Sequence, residues 1–512
     1  MSNKAPRRPR QRLQRSEWLV TALFLAGAVL IMANLSLADV QVDMTPERRF
    51  SLSETTGRLL ESFEEPVRIR YYISDELRRL SEEPARMERL LRRYDSLGGT
   101  AVSVEIVDAG RDGGEAAEAA GLRGEEIQTP GGDPGTLSTV YSGIHISYLG
   151  RERTVPFLFG HEQLEYQVSN ALFDVSRTEE HRVTVMLGTE GEAFDVDYAE
   201  LDNELSDRFD VSVLQPGQAD IPADSDALLL LGTRTFTDEQ ARSLRSYLDA
   251  AGRAFVAADG LNVDLSTLDA APVDESSRRA LDTALASTGM TVEPLALMDS
   301  RNNEFVTDAG FAGVPYPPWV ATDSRNADPE HPVTMGMGRL DLFWPSPLRI
   351  DSPESGQSGP LVVTTGEGWI QGDPISLQPD NRAALERNRA ESRGSYAVAG
   401  WAEDTHADGS RIVVVSDSDF ASNLVFYTES LANFMFVERS LLWLLGEDEM
   451  ARLHVRSRQP GGLDRIESPD ARAVTAWLVE TVNVVAIPLV ILLIGVLRLR
   501  RRRRRDQNGI SV

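Results

Sequence analysis

Few places in this chain put reactive side chains at spacings that chemistry uses. Asp417-Ser418-Asp419 follows the aliphatic run Ile412–Val415 and so falls at the carboxyl end of a predicted strand, where open α/β sheets bind ligands. Two carboxylates flanking a hydroxyl could hold a hard cation such as Mg²⁺, and with it a hydrolase. The plainer role of Asp417 and Asp419, ending the strand and capping the next helix, is preferred. His161-Glu162-Gln163-Leu164-Glu165 begins like a zinc-peptidase helix, but Glu165 stands where the second His is needed. It reads as a helix start. His145, His181, His331, His406 and His454 show no ligand spacing.

Gly131-Gly132-Asp133-Pro134-Gly135-Thr136 has no Lys and follows no strand, so a phosphate-binding loop is not supported. Gly188-Thr189-Glu190-Gly191-Glu192 does follow a strand. Its amides could cradle a ligand, but its two glutamates would repel an anion, and a tight turn is the better reading. No G-x-S-x-G elbow occurs. The chain has no Cys, which excludes disulfides, thiolate zinc sites and Cys nucleophiles. No catalytic residue and no cofactor is assigned. Tyr316 and Trp319, in Val314-Pro315-Tyr316-Pro317-Pro318-Trp319, are the candidates for a ligand-facing aromatic surface, as an envelope polysaccharide-binding protein would need.

The elements around these residues start from the ends of the chain. Trp18–Leu37 carries no charge, and about 20 apolar residues suffice to cross a hydrocarbon core. Six basic residues precede it. Residues 477–497 form a second candidate span, followed by seven arginines, Arg498 and Arg500–Arg505. Lys and Arg stay on the cytoplasmic side, so residues 1–17 and 498–512 are expected in the cytoplasm and the bulk of the chain outside it, at the inner (cytoplasmic) membrane. Ser36-Leu37-Ala38 offers a signal-peptidase site as the alternative, but the apolar stretch is longer than a typical signal core. The net charge is −27. Without the 13 basic residues of the two tails and Glu17 and Asp506, 39 basic residues face 77 acidic ones, about −38. Such a field disfavours nucleic acid and anionic surfaces as partners of the folded part.

Between the spans, residues 44–178 read as one domain. Val67, Ile69 and Tyr71 alternate with Arg68, Arg70 and Tyr72 as in a strand, and Met87, Leu90, Leu91, Tyr94 and Leu97 recur at helical spacing. Further strands are expected at Val102–Val107, Tyr141–Tyr148 and Glu152–Phe157. A loop around one short helix is expected over residues 110–139, and a helix on Leu164, Val168, Ala171, Leu172 and Val175. The order βαβ–ββα is that of a thioredoxin-like domain. Residues 181–447 read as a doubly wound α/β domain. Val183–Leu187 and the pure aliphatic run Ala227–Leu231 suit strands covered on both faces. Thr237 and Gln240 fit a capping box, opening a helix that buries Ala241, Leu244, Leu248 and Ala251 and ends at Gly252. An insertion or β-rich excursion covers about 261–378, and a closing helix about 421–445. Residues 448–475 read as a stalk to the second span.

In this order and spacing, the chain resembles the auxiliary components of gliding-motility-type (Gld-like) ABC transport systems over nearly its whole length. The resemblance rests on Thr45-Pro46-Glu47 with Phe50-Ser51-Leu52-Ser53, Glu65-Pro66-Val67, Leu164-Glu165-Tyr166 and Ile221-Pro222-Ala223-Asp224. It continues at Leu248–Arg253, His331-Pro332-Val333-Thr334, Ser416–Phe420 and Asn433. Ala250-Ala251-Gly252 departs from it, since relatives tend to have a Gly-Gly pair there. The resemblance implies a non-enzymatic, membrane-anchored accessory subunit working outside the cytoplasm beside an ABC permease and its ATPase, with membrane lipid as a further partner and oligomeric state open. It also implies that the second domain is similar to the intraflagellar-transport-related, amidotransferase-like fold, without that fold's Cys nucleophile.

Overall fold

The alternation of Val67, Ile69 and Tyr71 with arginine builds β1 (Val67–Ile73), whose apolar side chains are fully buried. This computed structural model describes residues 52–448, apart from residues 111–113, 129–136, 159, 162–163, 178–179, 216, 307–312, 336, 354, 405–408 and 429–431. From β1 the chain passes through α1's neighbours α2 (Asp75–Leu80) and α3 (Glu83–Gly98) to β2 (Val102–Asp108), parallel to β1; α1 itself is Glu54–Glu61. The helical stripe of α3 buries Met87, Leu90, Leu91 and Tyr94, while Leu97 is exposed. β5 (Ser142–Tyr148) runs antiparallel to β1 and turns into β6 (Arg151–Val155), giving the order β2-β1-β5-β6. The turn uses positive φ at Leu149 (49°) and Gly150 (82°), the geometry that matches hairpin twist. The stretch expected as a loop around one helix holds α4 (Glu115–Ala119) but also a small hairpin, β3 (Glu125–Gln128) and β4 (Leu137–Val140); the glycine-rich Gly131–Thr136 lies outside the described residues. α5 (Leu164–Ser176) buries every apolar residue predicted for it. Buried polar contacts tie it to α1 and α3: Ser169 Oγ lies 3.0 Å from Thr56 Oγ1 and 2.9 Å from the Tyr94 hydroxyl.

The second sheet has the order β19-β21-β22-β10-β9-β7-β8. β7 (Arg182–Leu187), β8 (Asp210–Val213), β9 (Ala227–Leu231), β10 (Arg253–Ala257) and β22 (Arg411–Val415) are parallel. β21 (Ala397–Glu403) and β19 (Gln357–Val363) complete it antiparallel. β9 is buried along its whole length, because helices cover both faces. Leu201 and Leu205 of α7 (Ala199–Ser206), after the short α6 (Phe194–Asp197), pack with Phe436 and Leu441 of α11 (Ala432–Leu444) on one face. Leu244 of α8 (Asp238–Asp249) and Leu281 of α9 (Glu275–Leu285) pack on the other.

The capping box at α8 is present: Gln240 N donates to Thr237 Oγ1 at 3.2 Å, and Thr237 N donates to Gln240 Oε1 at 3.1 Å. The end of that helix differs from expectation. Ala251 is exposed, not buried, and takes the left-handed cap itself with φ 64°, which costs an L-residue with a Cβ. Ala251→Gly is expected to raise stability by about 0.5–1 kcal/mol, read as a higher melting temperature.

The excursion is β-rich. β11 (Leu261–Asp264) pairs with β12 (Asp269–Pro272), β13 (Met290–Val292) with β18 (Leu348–Ile350), and β14 (Ala296–Met298) with β20 (Trp369–Gln371). β15 (Asn302–Val306), β16 (Gly313–Asp323) and β17 (Arg339–Phe343) form a three-stranded sheet, and α10 is Arg382–Leu385. Tyr316 and Trp319 lie inside it, 0 and 4 % exposed. Trp319 packs edge-on against Phe305, Tyr316 and Phe343, and the Tyr316 hydroxyl donates to Leu377 O at 2.5 Å. They are core, not a ligand surface, because Phe305, Phe343 and Trp344 pack around them. The closing helix is shorter than the predicted 421–445. Two tight turns at Asp419–Ala421 and Asn423–Tyr427 precede it, fixed by Ser422 Oγ, which accepts from Leu424 N at 3.2 Å. Among the described residues no helix is long and apolar enough to cross a membrane. Residues 18–37 and 477–497, the two tails, most of the stalk, His406 and His454 lie outside them.

Candidate functional site

The strands β7, β9, β10 and β22 end side by side, and each sends a polar residue into the same place. After β9 the backbone turns at Gly232 (φ 72°), passing so near β7 that a Cβ on Gly188 would stand 2.3 Å from the Gly232 carbonyl. The tight turn expected at Gly188 thus has a packing reason. Thr233 and Asp259, after β9 and β10, then clasp each other: Asp259 N donates to Thr233 Oγ1 at 2.8 Å, and Thr233 N donates to Asp259 Oδ2 at 3.1 Å. Ser418 Oγ, after β22, donates to both Asp259 oxygens at 2.8 and 3.0 Å.

Asp417 and Asp419 take different parts in this edge, and neither caps a helix by its side chain. Asp417 Oδ2 accepts from Phe343 N at 2.5 Å, fastening β17 over the sheet edge. Asp419 Oδ2 accepts from Arg234 Nη2 at 2.6 Å, and the same nitrogen lies 3.3 Å from Asp259 Oδ1. Arg234 Nη1 reaches Glu192 Oε1 at 3.4 Å, and the Tyr198 hydroxyl donates to Glu192 Oε2 at 3.0 Å. One guanidinium therefore serves three carboxylates. Ligand atoms of Asp259, Asp417 and Asp419 all lie within 4.8 Å of one another, so this set could hold a metal; Arg234 already bonds two of the three.

Burial sets the electrostatics. It pushes the carboxyl of Asp417 well above the ordinary range, with the neighbouring Asp419 adding to it, and it raises Asp419 against the pull of Arg234. Burial alone would lower Arg234, but Asp259, Asp419 and Glu192 hold it well above its usual value. Glu192 is pushed up to about 7, by burial first and by Asp259 and Asp419 after it. In the unfolded chain it titrates near an ordinary Glu, so between those values the folded chain holds the extra proton. Stability therefore falls as pH rises through about 4.5 to 7 and levels off above, by on the order of 3 kcal/mol. Glu192→Gln removes this component: its melting temperature relative to the parent is expected to climb from pH 5 to pH 8.

Glu192 also faces outward, into a cleft of about 1050 Å³ formed by the loops after β7, β8 and β9. This is where strand order reverses, β8 lying on one side of β7 and β9 on the other, the usual place for ligands in such sheets. Phe194, Leu187 and Leu214 give it apolar wall; Glu190, Glu192, Asp195, Asp202 and Glu239 give it charge, and no basic side chain among the described residues lines it. The predicted pair Asp417 and Asp419 is thus brought together with Glu192, which the sequence placed in a tight turn after a strand, and with Arg234 and Asp259, which sequence reading missed. Their signal was positional: each stands within a few residues of a buried strand's carboxyl end. The histidines are not gathered: His161 Nδ1 lies 2.6 Å from Glu83 Oε2, and His331 packs between Trp401 and Trp443.

The profile of a family described as an ABC-type uncharacterized transport system, an auxiliary component, matches residues 152–438, which include every residue of this site. The chain belongs to that family. A domain of unknown function matches residues 46–147 ahead of the ABC transport auxiliary region. An uncharacterized protein of Borreliella burgdorferi is 22% identical, covering 96% of this chain and 99% of its own. Among solved structures, the N-terminal domain of mmIFT52 is 14% identical over 51% of this chain and 96% of its own, with a TM-score of 0.34. A putative ThuA-like protein from Bacteroides uniformis is 8% identical over 52% and 91%, with a TM-score of 0.31. Those scores are too low for either likeness to bear on fold or function.

Proposed function

We propose that this chain is a non-enzymatic accessory subunit of an ABC transport system, anchored at the cytoplasmic membrane by residues 18–37 and 477–497 with its bulk outside, and assembling with a permease and an ATPase. One observation supports the non-enzymatic part: at the sheet edge where a reaction would be expected, Arg234 and Ser418 engage Asp259, and Arg234 also engages Asp419 and Glu192, so these carboxylates already serve as acceptors. The cleft next to it offers binding instead. On this reading the first sheet is a thioredoxin-like unit without redox cysteines, and the second an amidotransferase-like unit, related to the intraflagellar-transport fold, without a Cys nucleophile; both serve recognition or assembly. The link to gliding-type systems rests on the sequence resemblance alone. Affinity purification of the detergent-solubilised full chain tests the assembly: permease and ATPase are expected to follow it, and recovery of neither would sink the proposal.

The proximity of Asp259, Asp417 and Asp419 favours a second reading, a metal-dependent hydrolase. Calorimetric titration of the full chain with Mg²⁺, Mn²⁺ and Ca²⁺ is expected to be silent, since Arg234 supplies the positive charge these carboxylates need. Saturable heat lost on Asp419→Asn would favour the hydrolase.

A further inference from the structure

Away from the sheet edge, arginines converge on a cavity of about 190 Å³ where the first sheet meets the second. Arg151 and Arg153 come from β6, Arg177 follows α5, and Arg208 follows α7. In a body as acidic as this one, four guanidinium groups on one small cavity require a reason. Part of it is structural. Arg208, 7 % exposed, pairs through Nη1 with Glu438 of α11, and its Nε lies 3.9 Å from Asp174 Oδ1. Arg153 Nη2 donates to Glu180 Oε1 at 2.8 Å across a largely exposed pair.

Those contacts do not use up the donors. Arg153 Nε and Arg151 Nε are buried and make no hydrogen bond among the described residues, while Arg208 also meets the Tyr166 hydroxyl. A buried donor without an acceptor is costly, and both of these residues line the cavity. Arg177 adds charge without a hydrogen-bonding partner among the described residues: it stacks over Phe173 at 5.3 Å. The lining carboxylates do not cancel this. Asp174 already answers Arg208 at 3.9 Å, Glu152 lies 3.5 Å from His145 Nε2, and Glu180 is already bound to Arg153.

We propose that this cavity binds a phosphate-type oxyanion, free or as the monoester end of a larger molecule. Arginine forks approach from β6, from the end of α5 and from the end of α7. A tetrahedral anion can accept from several such directions at once, as a single carboxylate cannot. Because Arg208 and Glu438 belong to the second unit and β6 to the first, the anion would also fasten the two together. The site is separate from the cleft and from the transport reading.

The test is calorimetric titration of the detergent-solubilised full chain at fixed ionic strength, one arm with inorganic phosphate and one with water-soluble dihexanoyl phosphatidic acid. Saturable binding is expected, weakened at least about tenfold by the double substitution Arg153→Gln/Arg177→Gln. Both side chains are partly exposed, so the fold is expected to survive; if the double variant melts before binding can be read, Arg151→Gln alone is used with the same expectation. Binding in both arms identifies the free anion as sufficient, and binding of the lipid alone identifies a headgroup as the source; each supports the site. No binding in either arm, or binding indifferent to the substitutions, overturns it.

Discussion

Arg234→Met is expected to destabilise the protein by about 3–5 kcal/mol at pH 8, the cost of leaving buried charges without their partner, and by clearly less at pH 5. Asp259 and Asp419 lose their shared cation while staying buried, and Glu192 loses it at the edge of the cleft. The ionised forms of Asp419 and Glu192, already disfavoured by burial, then become harder to hold in the folded chain, so the folded state keeps protons that the unfolded chain has released. Where the folded chain binds more protons, stability drops with rising pH. The deficit should therefore open from the ordinary carboxylate range upward. Melting temperatures of parent and variant at both pH values check it. An equal loss at both would mean that Arg234 matters only as packing.

Asn433→Leu is expected to cost about 4 kcal/mol, since each buried group left unpaired costs roughly 1–3. Asn433 is fully buried near the start of α11. Its Oδ1 accepts from Asp341 N at 3.0 Å, and its Nδ2 donates to Asp341 O at 2.8 Å and to Phe420 O at 2.6 Å. One side chain thus holds β17 and the turn after Asp419 to the closing helix, and β17 in turn supplies the Phe343 amide to Asp417. Leucine fills similar volume, so little of the loss should come from a cavity. A melting temperature within a degree or two of the parent would show that the three bonds are replaceable.

The sequence made the regular elements legible where one physical signal dominated. The alternation in Val67–Ile73, the unbroken aliphatics of Ala227–Leu231 and the capping pair Thr237 and Gln240 all correspond to observed elements. It misled where context decided. Tyr316 and Trp319 look like an exposed aromatic surface in a proline-rich stretch, yet β17 lies against them. Ala251 fits the helical stripe, yet the chain must turn there with positive φ. The site was half visible. Asp417 and Asp419 stood out because they share one strand end, while Arg234, Asp259 and Glu192 come from three other strands. Only the parallel order of β7, β9, β10 and β22 brings those ends together, and no spacing along the chain encodes that order.

The placement of indole rings gives the molecule a built-in spectroscopic label. Of seven tryptophans, Trp319, Trp344, Trp369, Trp401 and Trp443 belong to the second sheet and its β-rich excursion, and none falls between residues 54 and 176. Emission excited at the red edge of the absorption band will follow the packing of that half around His331 and the Trp401 and Trp443 rings, while tyrosine signals carry the first half. If the two halves come apart at different temperatures, the two chromophores will trace separate curves without any dye or engineered reporter.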